Sequence, residues 1–165
     1  MRFPNPLIPG FNPDPSVVLA DGVYYLVTST FEYLPGIPVY RSTDLLTWTH
    51  IGNVATRPEH AGVDEVVTGG GGVWAPTIRY RDGVFYIIVT IAMSPRGCVV
   101  FTATDPAGPW SDGSTIAGVD GVDPDLAWDD DGTAYVTFSG LHTSGEQVGQ
   151  HLGIQQVRVD LAAGP

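Results

Sequence analysis

Ala75-Pro76-Thr77-Ile78-Arg79-Tyr80 is followed by Asp82-Gly83 and then by Val84-Phe85-Tyr86. An X-Pro step, a short β-rich run, an Asp-Gly turn and a second β-rich run stand in order. Asp-Gly between two such runs is the strongest short-range hairpin signal, because both residues tolerate the positive φ of a tight hairpin turn. The same text occurs twice more. Upstream stand Asp14-Pro15-Ser16-Val17-Val18-Leu19, Asp21-Gly22 and Val23-Tyr24-Tyr25; downstream stand Asp123-Pro124-Asp125-Leu126-Ala127-Trp128, Asp131-Gly132 and Thr133-Ala134-Tyr135. The units also end alike, with Arg41-Ser42-Thr43-Asp44 and Trp48, then Thr102-Ala103-Thr104-Asp105 and Trp110, then Arg158-Val159-Asp160.

Three repeats of about 50 to 60 residues with about four short strands each read as blades of a β-propeller. The blades are expected at approximately 10–55, 70–115 and 120–165. Strands are predicted over 17–20, 23–28, 38–42, 48–52, 77–81, 84–91, 99–103, 126–128, 134–139 and 154–160, and no window carries the i, i+3, i+4, i+7 spacing of an amphipathic helix. The fold class is all-β. Propellers close with about four to eight blades, so three leave the ring open. The ending Leu161-Ala162-Ala163-Gly164-Pro165 reads as a linker, and the chain is expected to be the N-terminal part of a longer protein. A two-sheet sandwich also fits the composition.

The chain has 165 residues, of which 21 are Gly and 14 Pro, a share below that of disordered low-complexity sequences; 43% apolar residues suffice for a core. The net charge is −11 and lysine is absent, which removes the basic stripe that nucleic acid or an anionic membrane would need. One cysteine, Cys98, excludes an internal disulfide and reads as a small buried hydrophobe. Prolines at the N-terminus interrupt any signal-peptide apolar region, and the run 84–93 is too short to span a bilayer. A cytoplasmic location is the expectation.

In a propeller the residue before each innermost strand lies at the mouth of the central funnel. Those residues are Asp14 in the first repeat, Ala75 with Trp74 beside it in the second, and Asp123 in the third. An aspartate before proline is ordinarily a turn residue bonded to its own backbone. The shared register instead converges two carboxylates and an indole. Paired carboxylates with an aromatic platform suit glycoside hydrolysis, in which one carboxylate serves as base or nucleophile and a protonated carboxyl as acid.

Five ordered segments sharpen this: Gly10-Phe11-Asn12-Pro13-Asp14-Pro15-Ser16, Ser29-Thr30-Phe31-Glu32-Tyr33-Leu34-Pro35-Gly36, Val73-Trp74-Ala75-Pro76-Thr77-Ile78-Arg79-Tyr80, Asp105-Pro106-Ala107-Gly108-Pro109-Trp110, and Gly121-Val122-Asp123-Pro124 with Asp129-Asp130-Asp131-Gly132. Together they closely resemble glycoside hydrolase family 43, in particular its β-xylosidase and α-L-arabinofuranosidase members. The resemblance implies a five-bladed propeller, of which this chain supplies about three blades, and an inverting mechanism on xylo- or arabino-oligosaccharides. It implies Asp14 as general base and Asp123 as the group that orients substrate and raises the pKa of the general acid. Phe31 and Trp74 match residues lining the sugar pocket, although each also reads as a core aromatic. No cofactor is implied. Some relatives carry a channel calcium, but no ligand set, and so no metal site, can be chosen here.

The family's general acid is a glutamate in a Glu-Gly-Pro-like motif, which is absent from this sequence. Its glutamates are Glu32, Glu59, Glu65 and Glu146, none of which precedes proline at the head of an inner strand. The 165-residue chain alone is therefore expected to lack glycosidase activity. A non-catalytic carbohydrate-binding propeller is the alternative. Gly69-Gly70-Gly71-Gly72 lacks the following Lys of a phosphate loop and reads as a flexible approach to Trp74. His50, His60, His142 and His151 lack metal-ligand spacing and are expected on the surface or in loops.

Overall fold

The computed structural model describes residues 5–62, 69–142 and 146–161. Residues 1–4, Glu65, the polar stretch Thr143-Ser144-Gly145 and the ending 162–165 lie outside the described residues. Three antiparallel sheets follow one another along the chain. The first contains β1 (Ser16–Ala20), β2 (Val23–Val27), β3 (Gly36–Ser42) and β4 (Thr49–Ala55), paired in that order. The second contains β5 (Gly72–Val73), β6 (Thr77–Arg81), β7 (Val84–Ala92), β8 (Gly97–Ala103) and β9 (Ser114–Thr115). Both β5 and β6 pair with β7, which continues to β8 and β9. The third contains β10 (Gly121–Trp128), β11 (Ala134–Leu141) and β12 (His151–Val159).

Local chemistry explains the turns. Asp21 and Gly22 take φ of 49° and 79°, and Asp82 and Gly83 take 52° and 81°, the paired left-handed conformation of a two-residue type I′ hairpin. The pairs Ala20↔Val23 and Arg81↔Val84 close these two hairpins directly. The third hairpin departs from the expected likeness. It is longer, running from Trp128 to Ala134, and only Gly132 of its Asp-Gly pair has positive φ. The Gly132 N–H reaches the Asp129 carbonyl at 3.1 Å and the Asp129 N–H reaches that of Thr133 at 3.1 Å, so the additional residue Asp130 is absorbed in a wider loop.

An X-Pro step stands at the start of the first sheet and breaks the strand pairing in the other two. Proline cannot donate to a ladder, so it is tolerated where pairing breaks. In the second sheet the break separates β5 from β6 at Trp74-Ala75-Pro76. In the third the ladder shifts register between Val122 and Asp125, a bulge holding Asp123 and Pro124. The strand expected over 126–128 is therefore longer, starting at Gly121 and crossing its own proline. In the first sheet β1 starts immediately after Pro15.

The middle sheet is covered on both faces. Ile87, Val89 and Ile91 of β7 pack with Val27, Val39, Ile78 and Phe101 in one core; Ile88 and Cys98 pack with Leu126, Val136 and Phe138 in another. Burial on both sides makes β7 a near-continuous apolar run, where β11 alternates between buried and half-buried residues. Three stacked sheets with a doubly covered middle layer differ from a two-sheet sandwich. Arg79 ties the middle sheet to the third through an ion pair with Asp125 and a 3.0 Å hydrogen bond to the Leu126 carbonyl.

Two departures from expectation have plain causes. The third sheet has three strands among the described residues instead of four. A single helical turn, α1 (Pro58–Ala61), lies between the first two sheets and was not foreseen. Pro58 opens it without losing a needed N–H, and Gly62 closes it at φ 62° with its N–H on the Pro58 carbonyl. Too short for a hydrophobic period, it leaves no pattern to read.

Candidate active site

The C-terminal end of β2 builds the first wall. Thr28, Ser29 and Thr30 are buried there, and the Ser29 N–H donates to the Pro13 carbonyl at 3.1 Å. The Ser29 hydroxyl donates to Asp14 Oδ2 at 2.6 Å. Asp14 thus leaves the turn chemistry typical of Asp-Pro. Its carboxylate is held from across the sheet, with its backbone at φ 52°.

Asp123 occupies the related place in the third sheet, inside the β10 bulge, at φ 54°. Its carboxyl is held above the ordinary aspartate value, first by partial desolvation and second by the negative charge of Asp14. The structure therefore brings Asp14 and Asp123 within electrostatic reach of each other. Non-glycine residues at positive φ are uncommon, and aspartate is among those that tolerate it best. Two such residues at matched positions mark a locally strained rim.

Trp74 and Phe31 come together through backbone pairing. The Phe31 N–H donates to the Val73 carbonyl at 2.8 Å and the Val73 N–H returns to the Phe31 carbonyl at 2.9 Å, joining the loop after β2 to β5. Gly72 is required at this crossing: its φ is 88°, and a Cβ would collide with the Phe31 carbonyl. The Trp74 N–H bonds to the Thr90 carbonyl at 3.1 Å, and its indole Nε1–H donates to the Gly70 carbonyl at 2.6 Å. Both Phe31 and Trp74 are half-buried, neither core nor free surface. The buried Thr90 hydroxyl donates to the Gly121 carbonyl at 3.0 Å and so links the second and third walls two residues from Asp123.

The sequence reading missed four residues that build this rim. Phe11, Ser29 and Tyr33 all lie in segments that carry the family resemblance, yet none carried an assigned role. Thr90 sits in an apolar strand with no signal beyond being its one buried hydroxyl. Away from the rim, Cys98 is buried and its thiol is pushed up to about 12 by desolvation. His60 corrects the expectation of a surface or loop histidine. It is buried in α1, its Nε2 receives Arg57 Nε–H at 3.0 Å, and its ring meets Phe101 edge-on at 5.9 Å. Among the described residues no group of His, Cys, Asp and Glu is placed to hold a metal ion, and no helix is long and apolar enough to cross a membrane.

Three antiparallel sheets in sequence order, with almost no helix, define an all-β protein class. Within it, residues 3–163 match the model of glycosyl hydrolases family 43, and the chain belongs to that family. It is 50% identical over 112 residues to the non-reducing end alpha-L-arabinofuranosidase BoGH43B of Bacteroides ovatus, covering 67% of this chain and 21% of that protein. It is 41% identical over 133 residues to a xylosidase/arabinosidase of Butyrivibrio fibrisolvens, covering 79% of this chain and 25% of the relative. Among solved structures, the xylan beta-1,4-xylosidase of Bacillus halodurans C-125 superposes with a TM-score of 0.83 at 34% identity, covering 98% of this chain and 31% of that one. The chain thus spans about a quarter of the length of these curated relatives.

Proposed function

We propose that this chain is the N-terminal three blades of a five-bladed propeller whose complete form is an inverting glycoside hydrolase acting on the non-reducing ends of xylo- or arabino-oligosaccharides. The observation that carries the reading is the placement of Asp14 and Asp123 at matched, left-handed positions, with the Asp123 carboxyl held above its ordinary value by partial desolvation and then by the charge of Asp14. Membership of the family and the names of the relatives, xylosidase and arabinofuranosidase, support the substrate class.

In this reading Asp14, oriented by Ser29, takes a proton from the water that attacks the anomeric carbon. The glycosidic oxygen leaves with a proton from a glutamate carried by a following repeat. Asp123 orients the sugar and, by its negative charge, helps that acid keep its proton until needed. Phe31 and Trp74 wall the terminal sugar, offering apolar ring faces to its C–H bonds. An inverting enzyme needs about 6.5–9.5 Å between base and acid so that water fits between them.

Asp14→Asn in the full-length protein tests this. Turnover of aryl β-xyloside and aryl α-L-arabinofuranoside should fall by at least about 10³-fold while sugar binding persists; near-normal turnover would remove the base assignment. The 165-residue chain alone should release no nitrophenol from either substrate. A non-catalytic carbohydrate-binding propeller is the second reading. A non-acidic residue at the head of the next repeat would decide for it.

A further inference from the structure

Phe11 and Tyr33 lie on the loops that flank Asp14 and Phe31. Phe11 lies with its ring centroid 6.0 Å from Phe31, tilted by 51°, and 5.9 Å from Tyr33, edge-on at 78°. Phe31 is in turn tied by its backbone to Val73, next to Trp74. Phe11 therefore bridges Phe31 and Tyr33 in one aromatic cluster that reaches outward over the rim. Its outer members are exposed, Phe11 by 59% and Tyr33 by 61%.

These two rings differ from the other exposed apolar residues. Val17 and Leu19 lie on β1, and Leu152 and Ile154 on β12; they belong to sheet strands whose outer sides are uncovered. Phe11 and Tyr33 instead lie on loops, three residues before Asp14 and two after Phe31. They are the exposed large aromatics among the described residues. Large aromatic faces left in water beside a site are a cost unless a ligand covers them. With an acidic rim and no lysine in the chain, an anionic ligand is disfavoured, and aromatic faces of this kind suit the C–H faces of a sugar.

We propose that Phe11 and Tyr33 form the subsite for the leaving-group sugar, the ring on the far side of the scissile bond from the terminal residue held by Phe31 and Trp74. This rests on the hydrolase reading above. Stacking there contributes binding that an oligosaccharide can use and a substrate without a second ring cannot. Such remote contact positions the scissile bond relative to Asp14 without touching the reacting atoms.

The test uses the full-length protein and two matched substrate pairs: xylobiose with β-D-xylosyl fluoride, and an arabinofuranosyl-xylose disaccharide with α-L-arabinofuranosyl fluoride. The fluorides carry the terminal sugar but no second ring. Phe11→Ala and Tyr33→Ala should each lower kcat/KM on the cleaved disaccharide by about tenfold. On the matching fluoride they should stay within about twofold of the parent. Tyr33→Phe, which keeps the ring, should behave as the parent. Equal losses on disaccharide and fluoride, or no loss on either, would overturn the subsite while leaving the hydrolase reading intact. A parent protein that cleaves neither pair removes both.

Discussion

The Ser29 hydroxyl reaches Asp14 Oδ2 at 2.6 Å from a side chain with 0% exposure. A hydroxyl that donates to an ionised carboxylate contributes about 1.5–3 kcal/mol, and here it also fixes which carboxylate oxygen remains available to water. Ser29→Ala in the full-length enzyme should therefore lower kcat by about 10- to 100-fold with KM within about twofold, whereas Ser29→Thr, which restores the hydroxyl, should recover most of the rate. A variant in which KM rises and kcat holds would show that Ser29 does not position the base.

Asp123 gives a stability prediction of opposite sign to the usual carboxylate. Its folded value is raised by desolvation and by Asp14, so the folded chain binds that proton more tightly than the unfolded one. Ionised Asp123 therefore weighs against the fold above its folded pKa, and the penalty is relieved as pH falls through that value. Asp123→Asn should melt about a degree higher than the parent at pH 7, with the difference shrinking toward acid, while turnover drops. Lower thermal stability of the variant at pH 7 would contradict this.

Gly72 is the crossing point between Phe31 and the second wall. Gly72→Ala combines a left-handed conformation with a clash against a carbonyl, and is expected to cost about 2 kcal/mol or more. The readout that separates local from global damage is tryptophan fluorescence on titration with xylose, in a background where Trp48, Trp110 and Trp128 are replaced by Phe: the variant should lose the sugar-induced change of the parent even below its melting temperature.

Cys98 should be chemically silent while the chain is folded. Its thiol, pushed up to about 12 by burial beside Ile88 and Phe138, presents almost no thiolate at neutral pH. Labelling with a disulfide reagent should be undetectable in native buffer and stoichiometric in denaturant. Rapid native labelling would mean that the core between the second and third sheets opens readily.

Much of this architecture is legible because its signals are local. Asp21-Gly22 and Asp82-Gly83 state their own turn geometry, and the runs between them carry strand composition, so β6 was placed to the residue. Asp131-Gly132 misled because Asp130 before it lengthens the loop, and a dipeptide does not report loop length. Pro124 misled in the other direction, since a proline that ends a regular strand merely bulges one whose ladder can shift. The equivalence of Asp14, Ala75 with its neighbour Trp74, and Asp123 is legible from repeat register. Ser29, Thr90 and Phe11 are not, because what singles them out is a partner in another segment: a carboxylate 15 residues away for Ser29, a carbonyl 31 residues away for Thr90.

Each repeat carries a proline just before or within the first strands of its sheet, and so holds one backbone slot that cannot donate to the ladder. The residue before that slot is a carboxylate in the first and third repeats and Ala75, beside an indole, in the second, yet all three sheets form around them. Chemistry and scaffold are thus specified by different letters of the same short word. The side chain before such a slot can therefore be exchanged in one repeat without disturbing the hairpins of the others.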